Sequence, residues 1–317
     1  MFAPFPQNQL AGRPRREDHQ DVRVAGLVTP YEGPAASFLE QVRPTDIVVL
    51  GYPDDRGIDR NGGRLGAAEG PDEIRRRLYR LTPPPQRTTT DLRIWDLGNL
   101  RSWSMDLLEA QEKARDFVAD LRKTGARILS LGGGHDWAYS DFQGFEGHVI
   151  NFDAHLDVRP LPNEDELKGH SGTPFRRILE ENKQGKTRVS AVGLQRTSNA
   201  RAHLEWAEGH RVTPLFLEEL PWDLPRQLEL VRNKLELGPK AGALGLSIDM
   251  DAFPQHISPG VSAPQPFGLD PTLVLTLVRE LKASTRQLGL YETSPRLDVD
   301  GSTARLAARL AYEFLFA

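Results

Sequence analysis

The 317-residue chain contains no cysteine. Disulfides, thiolate nucleophiles and cysteine-ligated zinc are therefore excluded. No apolar run approaches membrane-spanning length, so no membrane partner is expected. The start, Met1-Phe2-Ala3-Pro4-Phe5-Pro6, has no charged stretch leading into an apolar one, so no secretory signal is expected either. A large excess of one charge is also missing. A net charge of −4 gives no electrostatic case for nucleic acid. With 38% hydrophobic and 26% charged residues, the composition is that of an ordinary soluble protein, expected in the cytoplasm. No repeat, low-complexity tract or linker interrupts the chain. Residues 1–317 therefore read as one domain, with residues 1–45 as a polar, proline-bearing N-terminal extension packed on it.

Short apolar or β-branched runs alternate with amphipathic stretches from residue 46 onward. The spacing predicts strands over 46–52, 92–96, 126–131, 148–153, 188–194, 212–216, 243–249 and 286–291. It predicts helices over 71–81, 105–123, 173–183, 199–209, 224–236, 271–283 and 302–316. The clearest helix carries Leu107, Ala110, Ala114, Phe117, Val118 and Leu121 on one stripe, which marks core rather than function. Strand–helix alternation of this kind predicts a largely parallel sheet with helices on both faces, an α/β fold. The basic run Arg75-Arg76-Arg77 spreads around a helix axis and is expected to form a solvated face.

Three strand-like runs end on metal-type side chains. One is Ile128–Leu131 followed by Gly132-Gly133-Gly134-His135-Asp136; another is Val149–Phe152 followed by Asp153-Ala154-His155-Leu156-Asp157. The third is Leu244–Ile248 followed by Asp249-Met250-Asp251. Strand alternation places Asp153, His155 and Asp157 on one face, and Asp249 and Asp251 on one face. Any one of these residues alone reads as a cap or turn residue. Together they place several carboxylates at the end of buried apolar strands, where parallel sheets deliver side chains to one edge. Such a group repels itself and loses hydration unless a strong positive charge is present, and a divalent cation is the usual source. The set His135, Asp153, His155, Asp157, Asp249 and Asp251 is rich in oxygen donors, which suits Mn²⁺ better than structural zinc, with Co²⁺, Ni²⁺, Fe²⁺ and Zn²⁺ as alternatives. Two ions sharing a water lower its pKa toward neutrality. Asp153 and Asp249, each heading a paired set, are the natural bridging ligands.

On these residues the chain resembles the ureohydrolase superfamily of arginases, agmatinases and formimidoylglutamases. The matching pieces are Gly-Gly-Gly-His-Asp at 132–136, Asp-Ala-His-Leu-Asp at 153–157 and Ser-Ile-Asp-Met-Asp at 247–251. Further matches are Ser-Pro-Gly-Val-Ser-Ala-Pro at 258–264, Tyr-Glu-Thr-Ser-Pro at 291–295 and the glycine-rich segment from Gly62 to Arg75. The resemblance implies a three-layer α/β/α sandwich around a mainly parallel eight-strand sheet, and a trimer or hexamer. It also implies two Mn²⁺ per chain. His135, Asp153, Asp157 and Asp249 would hold one; Asp153, His155, Asp249 and Asp251 would hold the other. Glu292 would receive the cationic end of an amidine or guanidine substrate.

Local features resemble the formimidoylglutamase branch: Gly134 before the histidine, the segment Ser171-Gly172-Thr173-Pro174-Phe175, Arg159 just past the ligands, and the C-terminal segment 300–309. The implied reaction is hydrolysis of N-formimino-L-glutamate to L-glutamate and formamide, in histidine degradation. Arginine, agmatine or a guanidino acid are alternative substrates, and a non-catalytic relative is a further alternative. Arg159 offers a planar fork for a substrate carboxylate, which agmatine lacks; its competing partners are Asp165 and Glu166. Arg196 is a second candidate for a carboxylate. Where arginases carry a proton-shuttling histidine, this chain has Ser171, with His170 one residue earlier, so either side chain is a candidate for that position.

Overall fold

The computed structural model describes residues 1–5, 22–85, 92–161, 169–238 and 242–316. Residues 6–21 of the N-terminal extension lie outside the described residues, and so do Asp165 and Glu166. The rest of the extension packs on the domain, with Phe5, Val24, Val28 and Phe38 buried in the cores.

All eight expected strands form, and two short ones join them. The strands are β1 (Phe2–Ala3), β2 (Val28–Pro30), β3 (Ile47–Gly51), β4 (Ile94–Leu100), β5 (Arg127–Leu131), β6 (Gly147–Phe152), β7 (Thr187–Leu194), β8 (Thr213–Phe216), β9 (Leu244–Asp249) and β10 (Thr285–Tyr291). They make one sheet in the order β1-β4-β3-β5-β10-β9-β6-β7-β8, with β2 beside β4. Every pairing is parallel except that of β1 with β4. The last two strands therefore insert into the middle of the sheet, between β5 and β6. A sheet buried on both faces explains why its strands read as near-continuous apolar runs rather than alternating ones.

Helices cover both faces. Helices α1 (Ala35–Leu39), α4 (Leu107–Lys123), α5 (Ala138–Phe142), α6 (Pro174–Glu181) and α7 (Arg201–Gly209) pack over one core, which includes Phe38, Leu107, Phe117, Phe142, Phe175 and Ala207. Helices α3 (Gly70–Leu78), α8 (Leu224–Leu235), α9 (Pro271–Glu280) and α10 (Ser302–Phe316) cover the other, which includes Ile74, Val231, Leu277 and Phe314. The result is the expected α/β/α sandwich. A further short helix, α2 (Arg56–Arg60), lies in the loop after β3. The stripe on α4 is buried as its spacing requires, and Asp106 caps that helix by accepting from the Leu108 amide at 2.8 Å.

One expectation fails here. Arg75 is not part of a solvated face but is completely buried. Its Nε and Nη2 donate to the two oxygens of Asp96, each at 3.0 Å, and its Nη1 to Asn99 Oδ1 at 2.6 Å. The run spreads around the axis as expected, and that is the reason: one of three consecutive helical positions turns inward onto β4.

Candidate metal centre

Four neighbouring central strands deliver the site. Leu290 pairs with Leu131, Tyr291 with Asp249, and Phe152 with Ile248. The residues at or just past the ends of β5, β10, β9 and β6 thus lie at about one level: the 132–135 loop, Glu292, Asp249 and Asp153. This is the carboxyl edge of a parallel sheet, where strand ends leave a crevice. Gly133 lets the loop pass close to its neighbour, since a Cβ there would lie 2.0 Å from the Asp54 carbonyl oxygen. Asp157 and Glu292 adopt positive φ values of 52° and 63°, unusual for side-chain-bearing residues.

The six sequence-expected ligands come together in two groups. His135, Asp153, Asp157 and Asp249 form one, and Asp153, His155 and Asp251 the other. His135 Nδ1 lies 3.2 Å from Asp153 Oδ2, 2.9 Å from Asp157 Oδ2 and 3.1 Å from Asp249 Oδ2. His155 Nδ1 lies 3.4 Å from Asp153 Oδ1 and 3.1 Å from Asp251 Oδ2. Asp153 therefore turns one oxygen to each group, as a bridging ligand does. Asp249, expected to bridge as well, joins only the first group; its Oδ1 accepts from the Asp251 amide at 2.8 Å.

The charges do not balance. Four aspartates face two imidazoles in these groups, with Glu292 buried beside them. Burial, and then the neighbouring Asp153, raises Asp157 to about 6. Burial, reinforced by Asp251 and Asp153, holds Asp249 well above the usual carboxylate range. Burial also raises Asp153, but hydrogen bonds with His135 and His155 outweigh it and keep that carboxyl low. Burial opposes charge on His135 and His155, yet the surrounding carboxylates hold both imidazoles well above their ordinary value. Glu292 is raised to about 8, chiefly by burial.

This donor set fits a pair of cations. His135 Nε2 lies 2.9 Å from Ser247 Oγ. In the neutral tautomer that donates there, Nδ1 would turn a lone pair to three carboxylate oxygens, an arrangement that a cation among them relieves. Hard carboxylate oxygens with imidazole suit a divalent first-row ion such as Mn²⁺.

Around this floor the cavity wall is polar, with Asn61, Arg64, Arg159, Ser171, Asn199 and His203 among its residues. Glu292 also lines it. The Glu292 Oε1 accepts from the His135 amide at 3.0 Å, while Oε2 has no partner among the described residues. Arg159 is at the rim, exposed, and donates to Asn61 Oδ1 at 3.0 Å. Of the two candidates for the proton-shuttle position, only Ser171 lines the cavity. His170 instead closes a tight turn, its Nδ1 accepting from the Gly172 amide at 3.2 Å. Burial, then Arg159, depresses it to about 4. Arg196 is not brought to the cavity either. A 3-10 turn follows β7 and carries its guanidinium over the Phe216 ring, 4.1 Å from the centroid.

Sequence reasoning missed Asn61, Arg64, Asn199 and His203. Asn199 staples the ligand loop, its Oδ1 accepting from Leu156 N at 2.9 Å and its Nδ2 donating to Ala154 O at 2.9 Å. The available signals were weak: Asn61 stands next to the Gly62-Gly63 pair, and Asn199 closes the stretch that begins at Gln195.

Known proteins share this architecture. Over 341 aligned residues the chain is 33% identical to a formimidoylglutamase of Paraburkholderia xenovorans, covering 99% of this chain and 100% of that protein. It is 32% identical to a formimidoylglutamase of Geobacillus thermodenitrificans over 94% of this chain and 89% of that one. Among solved structures, a Trypanosoma cruzi formiminoglutamase with Mn²⁺ superposes with a TM-score of 0.77 at 28% identity, covering 94% and 98% of the two chains. The proclavaminate amidino hydrolase of Streptomyces clavuligerus superposes with a TM-score of 0.72 at 26% identity, covering 87% and 92%. The family model described as the arginase family matches residues 45–317, and the chain belongs to the arginase family.

Proposed function

We propose that this chain is a binuclear manganese hydrolase that cleaves N-formimino-L-glutamate to L-glutamate and formamide. The carrying observation is the charge gradient of the cavity. Its floor is a cluster of carboxylates, and its rim holds an arginine with no carboxylate partner among the described residues. A substrate with a cationic amidine at one end and carboxylates at the other matches that gradient. The names of the relatives agree with it.

His135, Asp153, Asp157 and Asp249 would hold one Mn²⁺, and Asp153, His155 and Asp251 the other, with Asp249 adjoining. When bound, the ions supply Lewis acidity and a water acidified toward neutral pH. The protein's own groups do the rest. Glu292 Oε2 accepts from the amidine nitrogens and fixes the formimino carbon over the floor. Arg159 takes a carboxylate in its planar fork. Hydrolysis adds water to the formimino carbon and breaks its bond to the glutamate nitrogen, which must gain a proton. Glu292, buried in the cavity with Oε2 unpartnered among the described residues, is the group placed to carry one. Ser171 replaces a histidine shuttle with a hydroxyl that serves as a hydrogen-bond donor.

The same reading includes one domain over residues 1–317, a place in histidine degradation, and work in the cytoplasm as a trimer or hexamer. Its support is the family match over residues 45–317 and the relatives' names. No helix among the described residues is long and apolar enough to cross a membrane. A guanidino acid is the second reading, favoured by the likeness to the Streptomyces amidino hydrolase, since such a substrate also carries a carboxylate for Arg159. Mn²⁺-loaded protein should release formamide from N-formimino-L-glutamate. Faster urea release from arginine, agmatine or a guanidino acid overturns the assignment.

A further inference from the structure

Asn61 stands between two side chains of the cavity wall. Its Oδ1 lies 3.0 Å from Arg159 Nη1, and its Nδ2 lies 2.9 Å from Ser171 Oγ. Which end of the amide faces which neighbour is settled by chemistry. A guanidinium has five donors and no acceptor, so the amide oxygen must face Arg159. The amide NH₂ then faces Ser171, whose oxygen accepts.

A serine hydroxyl has one proton to give. With its oxygen already receiving from Asn61, Ser171 must donate in another direction. It has no acceptor among the described residues, and its side chain lines the cavity. The two neighbours are also tied through the main chain. Arg159 N donates to Gly172 O at 2.9 Å, and Ser171 N to Gly57 O at 3.0 Å. A Cβ at Gly172 would lie 2.9 Å from Arg159 Cδ and 3.3 Å from Asn61 Nδ2, so these groups share one compact wall.

We propose that Asn61 is a specificity-determining positioning residue that holds the Arg159 guanidinium and the Ser171 hydroxyl as a pair of donors for one substrate carboxylate. The inference rests on the amidine-hydrolase reading above and adds to it the group that sets the polarity of the subsite. The relay runs one way, from Arg159 to Asn61 to Ser171 and out into the cavity.

Asn61→Asp is the sharpest test. The new carboxylate still accepts from Arg159 but cannot donate, so Ser171 turns its proton back into the wall. Two readouts are needed on Mn²⁺-loaded protein: steady-state kinetics with N-formimino-L-glutamate and calorimetric binding of L-glutamate. Asn61→Asp should weaken L-glutamate binding and raise KM roughly ten- to a hundredfold, with kcat and manganese content held near wild type. Ser171→Ala should show a smaller loss of the same kind. The double variant should be little worse than Asn61→Asp alone, because both changes remove one donor. Wild-type affinity in Asn61→Asp, a loss confined to kcat, or losses that multiply in the double variant would each overturn the inference. If Asn61→Asp fails to hold manganese, Asn61→Ala enters the same cycle and the same non-additivity decides. Formamide release with L-glutamate affinity indifferent to Asn61 removes the inference alone. Neither formamide release nor L-glutamate binding in the wild type removes it together with the reading beneath it.

Discussion

Arg75 and His135 are both fully buried on the same sheet, yet their surroundings differ. Arg75 gives hydrogen bonds to both oxygens of Asp96, to Asn99 Oδ1 and to the Gly98 carbonyl. Asp96 in turn accepts from Tyr79 and from the Gly98 amide. One buried positive charge meets one buried negative charge, with the partly exposed Asp72 3.9 Å away, and nearly every donor has an acceptor. Around His135 three carboxylates converge on one nitrogen, and a second group of charges sits beside it. A buried network that closes on itself is a structural element, whereas one left with excess charge is waiting for something the chain does not supply.

Exchanging a ligand should give the largest effect and set the two networks apart. Asp249→Asn should lose manganese and at least about a thousandfold in activity, the equivalent of several kcal/mol of metal assistance. The metal-free form of the same variant should be no less stable than metal-free wild type in urea at pH 8, because a repelled carboxylate has been removed. A large loss of stability there would mean that the cluster is self-satisfied after all.

Arg75→Ala should do the reverse. It strands Asp96 in the core and should cost about 3–5 kcal/mol of folding stability while leaving manganese binding intact in the folded protein. A change of under 1 kcal/mol in a urea melt would contradict the closed-network picture.

The smallest expected effect is a pH slope. In metal-free protein Asp157 is raised to about 6 from 3.8, so the folded state binds more protons than the unfolded state between those values. Stability contributed by that protonation is present below about 4 and is lost as pH rises through about 6. His135 and His155 are also raised, so they continue the decline above 6.5. His148 and His170, depressed to about 4 by burial, oppose the trend only below about 6.5, so the melting temperature of stripped protein should fall from pH 6.5 to 8. Manganese should flatten or reverse the trend, because ligands release protons on binding. A stripped protein that gains stability over this range would contradict the charge assignment.

The strands and the clustering of the six expected metal-binding side chains were legible because one pattern carried both: an apolar run that ends on Asp or His. Elements too short for a periodic signal were not, among them β1, β2, α1, α2 and α5. Arg75 was misread because its neighbours are equally basic and only tertiary packing selects which one turns in. Arg196 and Arg159 look alike in sequence, each a cation just beyond a strand, but the turn after β7 sends the first over Phe216. His170 and Ser171 differ by one position, and the tight turn that Thr173 closes decides which faces the cavity. Asn61 was invisible because its role depends on two partners roughly a hundred residues away, Arg159 at a separation of 98 and Ser171 at 110.

The level alignment of four parallel strand ends has an evolutionary consequence. The strand ends that carry the proposed ligands are levelled by backbone ladders, so the platform for the metals is inherited with the fold. The groups proposed to face the far end of a substrate, Asn61, Arg159 and Ser171, stand farther from those strand ends, in loops or turns. Substrate preference can therefore drift by exchanging a few loop residues while the chemistry beneath stays in place.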